Sequence, residues 1–217
     1  MKKLFVNLRK TQYIMFDFDG TIVDSMSFLE NNAVYLLTKY YGFSAEEAQK
    51  SYRETTGLPF IQQMEIIAPK KDNSKIVAKF EKMKIERIYE QRLFTDSYEV
   101  LRELKQRGYK IGISSGSIES IITNYLQKYG LDIVDDILGW RPGFEKGKDH
   151  FEFVLSKYNF SSSDIIFIGD SLHDLRRAKM NDIYFIGRKG MFQKDDFKQI
   201  FPEIIVISSL TEILNLL

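Results

Sequence analysis

Three short apolar runs in this sequence each stop abruptly at small or acidic polar residues. Residues 14–16 stop at Asp17, residues 111–113 stop at Ser114, and residues 165–168 are followed by Gly169 and Asp170. Between these runs lie segments whose apolar residues recur every three or four positions, which is typical of amphipathic helices. Continuous apolar strands separated by helices favour a parallel sheet covered on both faces. The sequence therefore predicts an α/β fold with a Rossmann-like, doubly wound parallel sheet.

One long stretch, residues 26–92, contains no convincing strand pattern. Its apolar residues recur at helical spacing, and Gly42 is placed to end a first helix. Ser44 and Glu47 have the spacing of a capping box, which predicts the start of a second helix. The stretch is too long to be a simple crossover between the first two strands, so it is predicted to be an insertion.

These patterns divide the chain into two predicted parts. An inserted all-helical cap is expected at residues 25–92, and an α/β core is expected from residues 1–24 together with residues 93–217. Within the cap, the charged segment 81–92 is interpreted as the solvated face of a helix.

Composition narrows the class of protein further. The chain has 217 residues with 31 Lys and Arg against 30 Asp and Glu, so its net charge of +1 predicts neither a nucleic-acid partner nor a membrane partner. The sequence has no cysteine, which excludes a disulfide scaffold and a thiolate metal site. No apolar run has the length of a membrane span. The basic residues 1–10 hold too short an apolar stretch for a signal peptide, so we expect a cytoplasmic protein.

Polar side chains gather where the predicted strands end. Asp17 and Asp19 follow the first strand, Ser115 follows the second, and Asp170 and Asp174 follow a later one. In open parallel sheets, ligands bind beyond the carboxyl ends of the strands, so these groups are expected to meet at one edge. Carboxylates with a hydroxyl and a nearby lysine suit a hard cation such as Mg²⁺ together with a phosphoryl group.

The same residues resemble the signature motifs of the haloacid dehalogenase-like hydrolases, in particular the phosphatase branch with a helical cap between its first and second motifs. Ser115 is similar to the second motif and Lys146 to the third. The first and fourth motifs, which are specific when they occur together in this order, are matched by Asp17-Phe18-Asp19-Gly20-Thr21-Ile22-Val23-Asp24-Ser25 and by Gly169-Asp170-Ser171-Leu172-His173-Asp174.

The resemblance implies a role for each acidic residue. Asp17 would attack phosphorus and form an aspartyl-phosphate, and Asp19 would act as general acid and then as general base. Mg²⁺ would be held by the Asp17 carboxylate, the Asp19 backbone carbonyl and Asp170, with Asp174 assisting directly or through water. An aspartate at position 19 is typical of the phosphatases and mutases of the family, and its presence counts against a dehalogenase or a phosphonatase.

The resemblance also implies a phosphate-binding group. Ser115, the backbone amide of Gly116 and Lys146 would hold the phosphoryl oxygens, although Ser114 or Ser117 could take the place of Ser115. Lys148 is an alternative to Lys146, because Gly147 replaces the proline that often follows the family's lysine. Lys146 lies 24 positions before Asp170 and Lys148 lies 22, and the longer spacing is closer to that of the family.

Outside these motifs, the break between two cap helices offers candidates for substrate selectivity. In capped relatives such a loop contacts the leaving group, which points to Arg53, Thr56 and Gly57. The alternative is a surface loop in which the glycine supplies backbone freedom. Thr21 could hydrogen-bond the Asp17 loop. Arg141, His150 and His173 are interpreted as surface or supporting residues rather than substrate or metal ligands.

The resulting hypothesis is a Mg²⁺-dependent phosphatase for a small phosphorylated metabolite. A sugar phosphomutase of the same branch is the nearest alternative, since the motifs are shared. A signalling receiver domain also combines a phosphorylatable aspartate with a hydroxyl and a lysine, but the helical insertion and the chain length argue against it. A binding protein that retains the fold without activity is the remaining alternative. Neither the identity of the phosphate ester nor the oligomeric state follows from the sequence.

Overall fold

The structure is a computed structural model that describes residues 8–217, and its centre is a six-stranded parallel sheet. The strand order is β3-β2-β1-β4-β5-β6, which confirms the predicted α/β class. Every adjacent pair in the sheet is parallel. The strands are β1 (Tyr13–Phe16), β2 (Lys110–Ile118), β3 (Asp136–Trp140), β4 (Ile165–Gly169), β5 (Tyr184–Arg188) and β6 (Ile205–Ile207).

The first strand lies in the middle of the sheet, and its two faces are buried against different cores. Ile14 and Phe16 face one apolar cluster, whereas Tyr13 and Met15 face another. Successive side chains of a strand point to opposite faces. Because both faces of the sheet are covered, all four side chains are fully buried. This explains why the run is continuously apolar instead of alternating.

Helices cover both faces of the sheet. The cluster around Ile14 is closed by α5 (Ser97–Gln106) and α6 (Glu119–Lys128), together with the C-terminal 3-10 turn Leu210–Asn215. The opposite face is covered by helices that supply Phe151, Leu175 and Phe197, among others, to the second cluster: α7 (Lys148–Tyr158), α8 (Leu172–Met180) and α9 (Lys194–Ile200).

The stretch between β1 and β2 begins with four helices that pack on one another. Among its described residues, Met26 to Arg92, it contains no strand. A third apolar cluster holds these helices together, and at its centre the rings of Phe60 and Phe80 stack with centroids 3.8 Å apart. The helices are α1 (Met26–Tyr41), α2 (Ala45–Thr55), α3 (Phe60–Ile67) and α4 (Ser74–Arg87). The division of the chain into cap and core at residues 25–92 stays a prediction.

The local signals at the start of this stretch act as expected. Gly42 adopts φ +73° at the end of α1, a left-handed conformation that favours glycine. Ser44 and Glu47 form the capping box at the start of α2, with the Ser44 side chain accepting from the Glu47 amide.

Element boundaries differ from the sequence pattern where polar residues continue an element. Strand β2 extends beyond residue 114 to Ile118, because its polar second half still pairs with β3 after a shift in register. Helix α7 begins at Lys148, three residues earlier than its first apolar residue indicates. Residues 1–7, which include most of the basic N-terminal segment, lie outside the described residues. Across residues 8–217, no helix has both the length and the apolar character needed to cross a membrane.

Candidate active site

A small cleft lies between the carboxyl edge of the sheet and the helices of the insertion. Its volume is about 70 Å³. The register of the sheet creates one wall: Phe16 at the end of β1 pairs with Ile113 of β2 and with Ile168 of β4, so the residues that follow them come together. That wall is lined by Asp17, Asp19, Ser115, Gly116, Ser117, Lys146 and Asp170, and the helical wall includes Tyr52, Thr56, Gly57, Pro59, Phe60, Gln63, Phe80, Glu81 and Lys84.

Asp17 is buried directly after β1 and is held by two donors. The backbone amide of Phe18 and the Nζ atom of Lys146 both lie 2.7 Å from its Oδ1 atom. Burial raises the pKa of Asp17 to about 7, and the neighbouring Lys146 cation partly offsets this effect. Oδ1 is therefore occupied, while Oδ2 is available for other chemistry.

Asp17, Asp170 and Asp174 form a buried group of three carboxylates. Each offers an oxygen atom, and these atoms lie within 4.8 Å of one another. The Oδ2 atoms of Asp170 and Asp174 are buried and have no hydrogen-bond partner among residues 8–217. Burial raises the pKa of Asp170, and the charges of Asp17 and Asp174 raise it further. Unpartnered carboxylate oxygens at this separation fit a hard divalent cation, which prefers oxygen ligands.

Gly20 shows how closely the loop after β1 approaches this carboxylate group. It adopts φ +80°, and a Cβ atom placed on it would lie 2.2 Å from the Oδ2 atom of Asp170. Only glycine satisfies both the backbone conformation and the lack of space. The side chain of Asp19 does not belong to the group of three, so a metal contact from residue 19 stays a prediction about its backbone carbonyl.

Lys146 and Lys148 are clearly separated by the structure. Lys146 is buried, and its Nζ atom lies 2.7 Å from an oxygen atom of Asp17 and 2.7 Å from one of Asp174. Burial lowers the pKa of Lys146, but the two carboxylates outweigh this effect and the net shift is upward, so the ammonium keeps its charge. The side chain of Lys148 is 70% exposed and lies 3.6 Å from Glu152. Lys146 is therefore in the cleft and Lys148 is on the surface.

The three serines of β2 have different surroundings. Ser115 lines the cleft, and its hydroxyl accepts a hydrogen bond of 3.0 Å from the amide of Ser117. Ser114 lies away from the cleft, with its hydroxyl 2.8 Å from the Nδ1 atom of His150. Ser117 lines the cleft, but its hydroxyl is 2.8 Å from Asp19. Ser115 and Gly116 thus remain the predicted phosphate ligands.

Asp19 receives three hydrogen bonds. Ser25 donates to its Oδ1 atom at 2.7 Å, whereas Ser117 at 2.8 Å and Lys84 at 3.0 Å donate to Oδ2. Burial raises the pKa of Asp19, but Lys84 and the two hydroxyls outweigh it, and the net shift is downward. Asp19 is therefore an ionised carboxylate at the junction between the two walls of the cleft.

Lys84 is the cleft residue that the sequence interpretation missed. The expectation of a solvated face for residues 81–92 is wrong at this position, because the Lys84 side chain is only 9% exposed and its Nζ atom also lies 2.5 Å from the Ser117 hydroxyl. A signal was present in the sequence: Lys84 lies four residues after Phe80 and four before Ile88, on the buried stripe of α4.

The loop between α2 and α3 is docked against the sheet, with two of its three predicted selectivity residues in the cleft. Thr56 lines the cleft and donates a 3.0 Å hydrogen bond to the carbonyl of Tyr52. Gly57 adopts φ +97°, and its carbonyl accepts a 2.6 Å hydrogen bond from Arg177. Arg53 does not line the cleft.

The remaining candidates lie outside the cleft. Arg53 is about half exposed and is paired with Glu30, with Nε 2.5 Å from Oε1. Arg141 forms an exposed pair with Glu119 at 2.8 Å. Thr21 bonds the Asp17 loop through its backbone, whose amide donates a 3.4 Å hydrogen bond to the carbonyl of Phe18, while its side-chain hydroxyl is buried without a partner among the described residues.

Thr21 and His150 are both buried, and each makes one contact that links elements of the core. The backbone carbonyl of Thr21 accepts a hydrogen bond from the buried Arg188, which ties the loop after β1 to the end of β5. His150 is fully buried, and burial lowers its pKa to about 3, so the ring is neutral and supports Ser114 from behind the cleft.

Comparison with known proteins shows which family this chain resembles. Residues 14–187 match the haloacid dehalogenase-like hydrolases. The pyrophosphatase PpaX of Bacillus cereus is 25% identical over 172 residues, which cover 75% of this chain and 76% of that protein. A haloacid dehalogenase-like family hydrolase from Streptococcus pneumoniae superimposes with a TM-score of 0.80 at 25% identity, covering 96% of this chain and 99% of the other.

A further structure shares the fold at lower identity. It is described as a predicted phosphoglycolate phosphatase from Haemophilus somnus, and it superimposes with a TM-score of 0.72 at 20% identity, covering 95% of this chain and 98% of its own. The family match extends from β1 to the end of β5 and so includes every sheet-side residue of the cleft. The chain therefore belongs to the haloacid dehalogenase-like hydrolase family.

Proposed function

We propose that this protein is a Mg²⁺-dependent phosphatase that hydrolyses a small phosphorylated compound through a phosphoryl group carried on Asp17. The observation that supports this most strongly is the arrangement around Asp17. One of its oxygens is held by Lys146 and the Phe18 amide, and the carboxylates of Asp170 and Asp174 lie beside it with unpartnered oxygens.

In the first step, Oδ2 of Asp17 attacks phosphorus, because Oδ1 is already occupied by its two donors. A bond forms between this oxygen and phosphorus, and the bond from phosphorus to the leaving oxygen breaks. Asp19 is ionised in the cleft without substrate, so it must first take up a proton from solvent as the anionic phosphate compound binds. It then gives this proton to the leaving oxygen as general acid. The buried position of Asp19 at the junction of the two walls supports its assignment to the leaving-group side.

In the second step, a water molecule attacks the phosphorus of the phosphoryl-aspartate. Asp19, now ionised, takes a proton from the water as general base, and the bond from phosphorus to Asp17 breaks. Free phosphate leaves, the Asp17 carboxylate is restored, and Asp19 holds a proton that it can give to the next leaving oxygen or release to solvent. Covalent catalysis of this kind divides one slow displacement into two easier ones.

The phosphoryl oxygens are assigned to Ser115, the Gly116 amide and Lys146. All three line the sheet side of the cleft, and Lys146 keeps its positive charge through its two carboxylate partners. Donors fixed before the reaction stabilise charge where it develops in the transition state, without reorganisation.

We assign the metal to the carboxylates of Asp17, Asp170 and Asp174, with the backbone carbonyl of Asp19 as a further ligand. Bound Mg²⁺ would offset the repulsion between the anionic nucleophile and an anionic phosphate. The buried oxygens of Asp170 and Asp174 support this assignment, because they have no hydrogen-bond partner within residues 8–217 and burying such an atom without one is unfavourable.

The size of the cleft favours a small substrate. A single water molecule needs about 10–15 Å³, so a cavity of about 70 Å³ has room for a phosphoryl group and a short leaving group. The pyrophosphatase relatives and the predicted phosphoglycolate phosphatase suggest pyrophosphate and phosphoglycolate as the first candidates. A sugar phosphomutase of the same family remains the alternative, because it would use the same sheet-side residues.

The test is phosphate release from p-nitrophenyl phosphate and from a panel of small phosphate compounds, with Mg²⁺ or with chelator. Asp17→Asn is expected to lower turnover by about 1,000-fold or more, because the nucleophile is lost. Asp132→Asn is the control, since Asp132 is exposed in a turn outside the cleft and outside the family motifs, and it is expected to retain activity.

Each result separates the alternatives. Turnover that persists in Asp17→Asn contradicts the proposal. Transfer of the phosphoryl group back to a sugar phosphate, without release of free phosphate, would favour the phosphomutase. A folded protein that is phosphorylated once on Asp17 and does not turn over would favour the receiver-like alternative.

A further inference from the structure

Lys84 brings a positive charge from the helical insertion to the side of the cleft where the leaving group must lie. We propose that Lys84 selects phosphate compounds whose leaving group is itself an anion, either a carboxylate or a second phosphate. This inference rests on the proposed function and adds to it the substrate class and the residue that recognises it.

The position of Lys84 follows from its contact with Asp19. A general acid must lie within hydrogen-bond distance of the leaving oxygen. The Nζ atom of Lys84 is 3.0 Å from Oδ2 of Asp19, so the ammonium is next to the site of the leaving group. The other cation among the lining residues, Lys146, is engaged by Asp17 and Asp174 at the phosphoryl end.

Lys84 also has the capacity to bind a further group. An ammonium group has three donors, and the described contacts use two of them, to Asp19 and to the Ser117 hydroxyl. Its side chain is 9% exposed, so a hydrogen bond to an anion in the cleft would be shielded from water. Such charge-assisted bonds are stronger than neutral ones.

The size of the cavity agrees with this substrate class. Phe60 and Phe80 stack on each other in the helical wall, and the space open to water-sized groups is about 70 Å³. Most ligand pockets are several times larger, at about 300–1,000 Å³. Glycolate or orthophosphate is small enough to be the leaving group here, and each carries the negative charge that Lys84 would recognise.

Glu81 provides an internal opposing charge. It lies one turn before Lys84 on α4 and lines the same cleft. A carboxylate at this position disfavours an anionic leaving group, so the preference must come from Lys84 and be limited by Glu81. Removing the charge of Lys84 should therefore weaken the preference for an anionic leaving group, and removing the charge of Glu81 should strengthen it.

The test compares two substrates of similar size, one with an anionic and one with a neutral leaving group. Phosphoglycolate carries a carboxylate where 2-hydroxyethyl phosphate carries a neutral hydroxymethyl group, and pyrophosphate supplies the second kind of anion. The readout is the ratio of kcat/KM for the anionic substrates to kcat/KM for 2-hydroxyethyl phosphate. A general loss of structure lowers both values together and leaves this ratio unchanged.

We expect the wild-type ratio to favour the anionic substrates by tenfold or more. Lys84→Met should lower the ratio by about 10- to 100-fold, the range for one hydrogen bond to a charged group, and Glu81→Gln should raise it. Lys82→Met is the matched control, because Lys82 lies on the same helix with its side chain 75% exposed, and its ratio should equal that of the wild type. Comparing phosphoglycolate with pyrophosphate then shows which anion is preferred.

A ratio that is the same in Lys84→Met and in the wild type would overturn the inference. If Lys84→Met does not fold, competitive inhibition of the wild type decides. Glycolate should inhibit at least tenfold more strongly than ethylene glycol, and equal inhibition would overturn the inference. The variant Asp17→Asn separates a failure of the Lys84 inference from a failure of the proposed function. Turnover that depends on Asp17 but shows no charge preference contradicts only the role of Lys84, whereas turnover independent of Asp17 contradicts the proposed function as well.

Discussion

The two walls of the cleft are built in different ways. On the sheet side, Asp17 and Asp170 directly follow the parallel strands β1 and β4, and Ser115 lies in β2 between them and the outer strand β3. On the helical side, Thr56 and Lys84 reach the cleft only because four helices pack into one cluster. The sheet side carries the groups that we assign to the reaction, and the helical side carries those that we assign to substrate choice. A change on the sheet side should therefore abolish the reaction, and a change on the helical side should alter selectivity or affinity.

The largest effect is expected from Asp170→Asn on the sheet side. Replacing this carboxylate should lower turnover by about 1,000-fold and should weaken the stabilisation that Mg²⁺ gives to the folded state. Burial and the charges of Asp17 and Asp174 all disfavour the ionised form of Asp170, so the variant should be more stable than the wild type without metal. Thermal unfolding with Mg²⁺ and with chelator measures both changes. A variant that keeps full activity, or that still gains as much stability from Mg²⁺, would contradict the metal assignment.

A smaller effect is expected from Gly57→Ala on the helical side. A Cβ atom at this position would lie 2.3 Å from the Ser171 hydroxyl, and φ +97° is unfavourable for alanine, so the docked loop must shift. We expect KM to rise by about tenfold while kcat changes much less, because the loop positions the substrate and takes no part in the chemistry.

Gly42→Ala is the matched control for this prediction. Gly42 also has a positive φ, +73°, but a Cβ atom there would have no neighbour within 4 Å, and the residue ends α1 away from the cleft. It should lose stability without any change in KM. A Gly57→Ala variant whose steady-state kinetics match those of Gly42→Ala would show that the loop does not contribute to substrate binding.

The smallest effect is expected from Arg53→Ala. The side chain of Arg53 is 48% exposed and is paired with Glu30 outside the cleft, so its loss should cost at most about 1 kcal/mol of stability and change kcat/KM less than twofold. Lys50→Ala, which removes the exposed partner of Glu54, is the control. A tenfold loss of kcat/KM in Arg53→Ala but not in Lys50→Ala would show that Arg53 contributes to substrate binding, and would contradict its position outside the cleft.

The sheet side of the cleft could be predicted from the sequence more completely than the helical side. Asp17, Asp170 and Lys146 were identifiable because strand ends and motif spacing are local properties, and parallel strands bring them to one edge. The choice between Lys146 and Lys148 depended on family spacing alone, and the structure separates them by burial. The contact between Thr21 and Arg188 could not be predicted, because Arg188 lies 167 residues further along the chain.

Lys84 shows why the helical wall was harder to predict. In a charged segment, one buried lysine has the same residue type as its exposed neighbours, and only the stripe through Phe80 and Ile88 marks it. Its partner, Asp19, is 65 residues away in the sequence, and no local pattern connects them. The fold class could be predicted because continuous apolar strands and helical periodicity are each readable within a few residues. Contacts between the insertion and the sheet are tertiary, and the sequence leaves them open.

The most direct measurement of the central claim is to trap the phosphoryl group on the protein. In Asp19→Asn, an aryl phosphate with a good leaving group should still phosphorylate Asp17, while the loss of the base slows the second step. With labelled substrate, Mg²⁺ and an acid quench, the label should be found on the peptide that contains Asp17 and should be released by hydroxylamine. Label on any other residue, or steady turnover with no label at Asp17 in this variant, would contradict the assignment of Asp17 as the nucleophile.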